Sequence, residues 1–390
     1  MKIVHVVQHY MPGHTYQENY LPAAMAKLGH FVTVIAGVDN PDFCKDPPHM
    51  EGDRILEKGV LVRYTKIRYG RFYTPVPELY ALLCEEKPSL VFVHGFILAR
   101  SPQLLRYARR NPDCVFAADT HETYLLAYNA CFTGTVRDRI RHFVYFRCVY
   151  RFWRRIMENR YRCVFYVAPP RKTFALREFG FSERILKPLW MGADLETLPY
   201  EKKPALRESI RKKYEIPADA KIMVLAGKLD GRKRPVELAE AFRRLNGADW
   251  WLMYVGSMEA DIRARVEQTA GETGRLVFTG FLSGDEVLAH IAASDLAVYP
   301  GAHSVLWEQT VCLGIPAVFY EEESGDAAHL SDGNALFVHR GDAEEILDCL
   351  KKLCFDEALL KRMGEQARRY AEGNLSYDRT AEKALRDCGF

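Results

Sequence analysis

The chain has 390 residues, of which 48% are hydrophobic, 27% charged and 12% aromatic, and it carries a net charge of +3 at pH 7. Such a length can bury two cores, and such a composition excludes a disordered or collagen-like chain. The cysteines show neither a C-x-x-C pair nor a Cys/His zinc spacing, so they read as reduced, mostly buried thiols.

Met1 to His9 alternates as a strand and lacks the apolar core of a signal peptide, and no apolar run reaches the length of a membrane span. A cytoplasmic protein is expected, with any membrane contact peripheral. Strands are predicted at Lys2 to Gln8, Phe31 to Ala36, Leu90 to His94, Cys114 to Ala118 and Cys163 to Val167. Helical patterns separate them at Gln17 to Leu28, Ser101 to Arg110, Arg137 to Asn159 and Arg171 to Phe179. A polar stretch near 195–205, with Pro199 and Pro204, reads as a linker. Beyond it strands are predicted at Ile222 to Ala226, Trp251 to Val255, Leu276 to Thr279, Leu296 to Tyr299 and Ala317 to Tyr320, and Ser283-Gly-Asp-Glu286 forms a capping box before a helix. Asp356 to Asp387 reads as two successive helices.

Strands alternating with helices throughout imply an α/β protein with two doubly wound parallel sheets, domain 1–196 and domain 197–374, and a C-terminal helix at about 375–390 packing back on the first. Sheets of this kind bind ligands at the carboxyl ends of their strands, so a facing pair would hold its ligand in the cleft between them. The segment Ala226-Gly-Lys-Leu-Asp-Gly-Arg-Lys-Arg-Pro235 sits at such an end. A glycine turn with Lys228 and Lys233 before a helix suits an anion such as a diphosphate, although a solvated basic loop has the same composition. Tyr299-Pro-Gly-Ala-His-Ser304 repeats the architecture after a later strand, with Ser304 as the expected cap of a helix beginning near Val305.

On these motifs the chain resembles the two-domain GT-B glycosyltransferases, and within them the retaining enzymes of family 4. The turn at Met11-Pro-Gly13, Met191-Gly-Ala-Asp194, Gly227-Lys-Leu with Lys233, and Val277-Phe-Thr-Gly-Phe-Leu282 are each similar to a family element. The resemblance implies a fold of two facing Rossmann-like domains and transfer of a sugar from a nucleotide-diphosphosugar to a hydroxyl. It implies donor binding by Gly13, Gly227, Lys228, Lys233, Phe281, Leu282, Gly301, His303, Ser304, Val305, Glu308 and Gln309. The family's spaced pair of glutamates is missing. Matching Gly314-Ile-Pro316 to the family's Gly-Leu-Pro puts Gly301 at the first and Gln309 at the second, with Glu308 beside it as a further ribose candidate.

His121, following the strand that ends in Asp119, is similar to the family's cleft histidine, and a loop histidine paired with Asp119 or Glu122 is the plainer alternative. Positions 5, 9, 94 and 95 are weaker cleft candidates, with 95 grouped beside Asp119 and His121 on the acceptor side. Lys228, Lys233 and His121 are the expected catalytic groups, stabilising charge on the departing diphosphate or contacting the acceptor. The chain has no Asp-x-Asp motif. No metal and no cofactor is therefore expected.

Nine arginines lie between Arg137 and Arg162. On a helical wheel Arg147, Arg151, Arg154 and Arg155 share one arc, and Phe143, Phe146, Val149, Tyr150, Trp153 and Met157 share the other. Contact with an anionic membrane and an ordinary surface helix both fit, and nucleic acid does not, since no nucleic-acid-binding module accompanies the arginines. The expected partners are a nucleotide-sugar and a glycan or lipid-linked acceptor, at the inner face of the membrane. A degenerate relative that binds nucleotide or glycan without turnover is the alternative.

Overall fold

Continuous burial along the first strand, β1 (Lys2–Val7), with successive side chains entering opposite cores, sets the architecture of the N-terminal half. Val4 and Val6 enter one hydrophobic core, while Ile3 and Val7 enter another on the opposite face. A sheet so divided is covered by helices on both sides. The computed structural model describes residues 1–14, 16–40, 47–70, 72–121, 135–245, 249–271, 274–321 and 327–390. Within them the chain divides into two units, Met1–Trp190 with Tyr377–Phe390, and Met191–Ser376.

In the first unit β1 pairs in parallel with β2 (Phe31–Gly37) and β5 (Leu90–Val93). With β3 (Arg54–Glu57), β4 (Val60–Thr65), β6 (Val115–Thr120), β7 (Cys163–Tyr166) and β8 (Leu186–Pro188) they form an eight-stranded sheet of order β3-β4-β2-β1-β5-β6-β7-β8. Its one antiparallel pair is β3 with β4, joined through Lys58 and Gly59, both at positive φ as a two-residue hairpin turn requires. Strands β3 and β8 are too short for the sequence pattern to reveal, whereas β4, six residues of strong strand formers, is one that the sequence reading leaves out. One face of the sheet is covered by the helix Gln17–Lys27 together with the terminal helix Tyr377–Cys388. The terminal helix is fixed by stacking of Tyr377 on Tyr20, by Lys27 with Asp378 at 2.9 Å, and by burial of Ala381, Ala384 and Cys388 in the core.

The second unit is an all-parallel six-stranded sheet, order β11-β10-β9-β12-β13-β14, built from β9 (Lys221–Ala226), β10 (Trp250–Val255), β11 (Leu276–Phe278), β12 (Leu296–Tyr299), β13 (Ala317–Tyr320) and β14 (Ala335–Val338). The strand order reverses at β9, which has β10 on one side and β12 on the other. The helix Gly284–Ala292 starts with the capping box that Ser283 and Glu286 predict, each donating to the other's side chain. Met191-Gly-Ala-Asp194 opens this unit. A Cβ on Gly192 would lie 1.8 Å from the carbonyl oxygen of Leu375, and Ala193 donates to that same oxygen at 2.9 Å. Only glycine lets the chain entering the unit run so close to the chain leaving it.

Candidate functional site

Two loops meet where the strand order of the second unit reverses. The first leaves β9 at Gly227, whose φ of +126° is open to glycine alone. Lys228 follows and is exposed, and Asp230 then closes the single turn Gly231–Lys233 by accepting from the Arg232 amide at 3.0 Å. The second loop leaves β12 and carries Gly301, Ala302, His303 and Ser304. Ala302 donates to the Arg232 carbonyl at 2.9 Å, and Lys233 returns a bond from its ammonium to the Ala302 carbonyl. Gly301 lies so close that a Cβ there would sit 2.1 Å from the Arg232 oxygen. No side chain fits at position 301 while the loops are joined.

Lys233 is 9% exposed. Burial pulls its ammonium down from the ordinary 10.5 to about 8, opposed by the nearby Asp230 carboxylate, reinforced by Arg232 and opposed again by Glu308. Arg232 is spent on Asp230 at 2.6 Å, and Arg234 donates to the Arg340 carbonyl and lies over the Tyr320 ring. Of the basic cluster, Lys228 and Arg232 are exposed, Arg232 in its pair with Asp230, and Lys233 is the buried cation that ties the loops together.

Behind the second loop lies a cluster that no local pattern of residues foreshadows. Glu308 is wholly buried, with His303 Nε2 at 2.9 Å and His329 Nε2 at 3.7 Å from its Oε1. Desolvation would raise its carboxyl, but the charges and hydrogen bonds of His303 and His329 outweigh it and hold the group at about 2. Glu308 therefore faces the two histidines, and Gln309, at 4% exposure, is buried beside it. His303 packs edge-on against the buried Trp307. His329 comes from the turn Ala328–Leu330, whose distance along the chain left no local signal. Among the described residues, no group of three or more His, Cys, Asp or Glu side chains could hold a metal ion.

The expectation that Ser304 caps the next helix needs correction. The helix is Leu306–Cys312, its cap position is Val305 in a helical conformation, and no side chain caps it. Ser304 instead gives its carbonyl to the Trp307 amide at 3.0 Å, and its hydroxyl is buried. Phe281 is 84% exposed and Leu282 half-buried beyond β11, which leaves the phenyl ring presented for stacking.

In the first unit the candidate residues gather around Asp119 at the end of β6. This carboxylate is wholly buried and receives His94 Nδ1 at 2.8 Å, the Gly95 amide at 2.8 Å and His121 Nε2 at 3.5 Å. Its carboxyl is held well below the ordinary range, because His94 and His121 overcome the opposing effect of burial. His94 in turn meets His5 at 3.0 Å. Burial first, and the His94 charge second, push His5 well below its ordinary value. Position 95 is Gly95, so the acceptor-side histidine expected there does not exist, and His94 is the histidine of this strand end. Asp119 orients His94 and His121 and does not itself reach a ligand; His121, with a side chain 35% exposed, is the member open to one. Glu122 lies outside the described residues. Gly13, at φ +77°, donates its amide to Glu57 at 2.8 Å, and His9 bonds the Asp39 carbonyl.

The arginine-rich segment is also arranged differently from a simple wheel. It comprises the helix Val136–His142, a π-helical stretch Phe143–Tyr150 and the helix Arg151–Glu158. Phe146, Val149, Trp153 and Met157 are buried in the core as expected, but Phe143 is 60% exposed. Arg151 donates to the Arg177 carbonyl at 3.2 Å, and Arg154 pairs with Glu158 at 2.8 Å. The arc Arg147, Arg151, Arg154 and Arg155 is therefore not one free basic face. Phe143 leaves the buried arc because i→i+5 turns advance each residue by less than an α-helix does, whereas Arg151 and Arg154 are taken up by partners within reach of the α-helix Arg151–Glu158.

With two doubly wound units and a loop pair at the strand-order reversal of the second, the molecule has the GT-B fold. Solved structures share it along the whole chain. A glycosyltransferase from Rickettsia africae superposes with a TM-score of 0.71 at 14% identity, covering 99% of this chain and 97% of that one. HepE of Anabaena in complex with UDP superposes with a TM-score of 0.69 at 16% identity, covering 99% of each. Residues 207–370 match the family described as Glycosyl transferases group 1. It is 30% identical over 183 residues to the lipopolysaccharide core biosynthesis glycosyltransferase LpsE of Rhizobium meliloti, covering 45% of this chain and 52% of that protein. It is 29% identical over 156 residues to the 2-deoxystreptamine glucosyltransferase of Streptomyces kanamyceticus, covering 38% of this chain and 40% of that protein. The matches span about half or less of these relatives' lengths.

Proposed function

We propose that the protein transfers a sugar from a nucleotide-diphosphosugar to a hydroxyl of a glycan or lipid-linked acceptor, in the synthesis of a cell-surface polysaccharide or glycolipid. The reading includes retention at the anomeric carbon, no divalent metal, and work at the cytoplasmic face of a membrane. The observation that carries it is the joining of the Gly227 and Gly301 loops through Lys233, inside the segment that matches the group 1 family. LpsE is named for lipopolysaccharide core biosynthesis, and HepE is known with UDP bound, which supports a nucleotide donor and a surface-glycan product.

In this mechanism the bond between the anomeric carbon and the diphosphate breaks while the acceptor hydroxyl oxygen bonds to that carbon, negative charge collects on the leaving group, and the hydroxyl proton passes to the departing diphosphate. Lys228 meets that charge from the loop surface, and Lys233 supplies a second positive charge from beneath. Loop amides fixed by the Gly227 turn add fixed dipoles without reorganisation. Phe281 offers a face on which the base can stack, and His121, oriented by Asp119, serves the acceptor side.

A thermal-shift screen with UDP, GDP, ADP and CMP identifies the base, since binding to the folded state alone stabilises it. Transfer or donor hydrolysis with the matching nucleotide-sugars, run in EDTA, then tests the reaction. Turnover that persists in EDTA and yields a retained anomer is expected; a strict Mg²⁺ or Mn²⁺ requirement overturns the metal-independent part. The second reading, a protein that binds donor or glycan without turnover, is favoured by the lack of a side chain at Gly301 and the inward placement of Glu308 and Gln309. Tight nucleotide binding with no turnover of any donor would select it.

A further inference from the structure

The outward face of residues 136–152 is an apolar stripe that the core does not use. Val136 is 73% exposed, Ile140 60%, Phe143 60%, Val144 40% and Phe152 61%. In a continuous α-helix a row of every fourth residue drifts around the axis by about 40° per step. The wider π-helical stretch Phe143–Tyr150 turns the other way relative to that row, so Val136, Ile140, Val144 and Phe152 stay in register along one edge. By the same geometry the exposed Arg139, Arg147 and Arg155 form a parallel row on one flank, with the exposed Arg137 and Arg141 on the other. Asp138, the sole acidic residue from 136 to 155, is engaged by Thr135 in the capping box that starts the helix.

We propose that this face is a membrane-contact surface, seating the protein in the headgroup layer of an anionic bilayer. Large apolar side chains between two rows of arginine match a bilayer surface, where the apolar row enters the acyl boundary and the guanidinium groups meet lipid phosphates. Beside the stripe, a hollow of about 810 Å³ is lined by Phe72, Ile140, Val144 and Val149 together with Arg137 and Arg141, and by Asp138, which Thr135 engages. No helix among the described residues is long and apolar enough to cross a membrane, so the contact is one of surface insertion. The inference deepens the lipid-linked acceptor reading and rests on it for its purpose, while the surface argument is independent of the donor loops.

The test is flotation of the full chain with vesicles of phosphatidylcholine alone or mixed with phosphatidylglycerol, across a salt series. The protein is expected to float with the anionic vesicles and to lose affinity as salt rises. The pair Phe143→Ser with Phe152→Ser should lower binding by roughly tenfold or more at every salt concentration, because apolar insertion is lost. The trio Arg139→Gln, Arg147→Gln and Arg155→Gln should remove most of the preference for anionic vesicles. Leu56→Ser, at an exposed apolar residue on β3, should change nothing. Failure of the wild type to float, or unchanged flotation of the double serine variant, overturns the proposal; so does binding of a soluble acidic polymer in place of vesicles. Nucleotide-induced thermal shifts of the same variants should equal the wild type's, so a failed flotation leaves the donor reading untouched and a failed donor assay leaves the flotation result standing.

Discussion

The carboxylate of Glu308 accepts a hydrogen bond from His303 at 2.9 Å with no exposure to solvent. It anchors the loop that Lys233 joins to the Gly227 turn, so charge pairing beneath the surface fixes the position of the groups above. Its carboxyl lies at about 2 against an ordinary 4.5, so its contribution to stability is full above 4.5 and drains away as pH falls toward 2. Glu308→Gln should therefore cost on the order of 3 kcal/mol near neutrality and much less at about pH 3. Urea midpoints for both proteins at the two pH values measure this, and an equal gap at both would refute the ion-pair account.

Lys233 loses its proton as pH rises through about 8. If the ammonium is needed to hold a diphosphate, affinity should be steady below that value and fall above it, by up to about tenfold per pH unit. Calorimetry with the nucleotide found by thermal shift checks the profile. In Lys233→Met the profile should be flat, and affinity near neutrality should already be down by about tenfold to a hundredfold. Lys228→Met should lower affinity without flattening the profile, because that residue is exposed. Full affinity and turnover after both lysines are replaced by alanine would remove the diphosphate clasp altogether.

Restoring the family's glutamate should not restore a missing function. Gly301→Glu drives a Cβ to within 2.1 Å of the Arg232 oxygen, so the loops must part. We expect a loss of about 1–3 kcal/mol or more, as for other overpacked sites. Nucleotide binding should weaken with it. Gly301→Ala should fail in the same direction, which separates the backbone collision from any effect of the carboxylate. Thermal stability and nucleotide affinity equal to the wild type's in both variants would show that the loop yields freely.

His121 and Asp119 should separate by kind of effect. His121→Ala removes a partly exposed group, so the melting temperature should hardly move, while turnover falls by about a hundredfold or more if the imidazole takes part in proton transfer. Asp119→Asn strips the charge from a buried hub shared by His94 and His121, and should cost about 3–5 kcal/mol. Denaturation midpoints and kcat at saturating donor distinguish the two. A large stability loss in His121→Ala would mark that histidine as structural.

Much of this protein was legible in its residues. The strand and helix alternation, the glycine turn at Gly227 and the Ser283–Glu286 cap are local properties, fixed by side-chain period, φ freedom and hydrogen bonding within a few positions. The resemblance to GT-B enzymes rests on the same short motifs. Glu308, His303 and His329 were not legible as a unit, because burial and pairing of charges depend on which distant segments pack together. Gly301 read only as a donor-binding position without a side chain, and the Arg232 carbonyl occupies the space such a side chain would fill. The arginine segment was read on a wheel of constant pitch, and a π-helical stretch changed which residues face outward. Sequence by itself determined the periodicities and the turn chemistry, because those act through neighbouring residues. Tertiary structure alone decided which charges are buried, which backbone atoms touch and which apolar row is left in solvent, because each depends on atoms far apart in the chain.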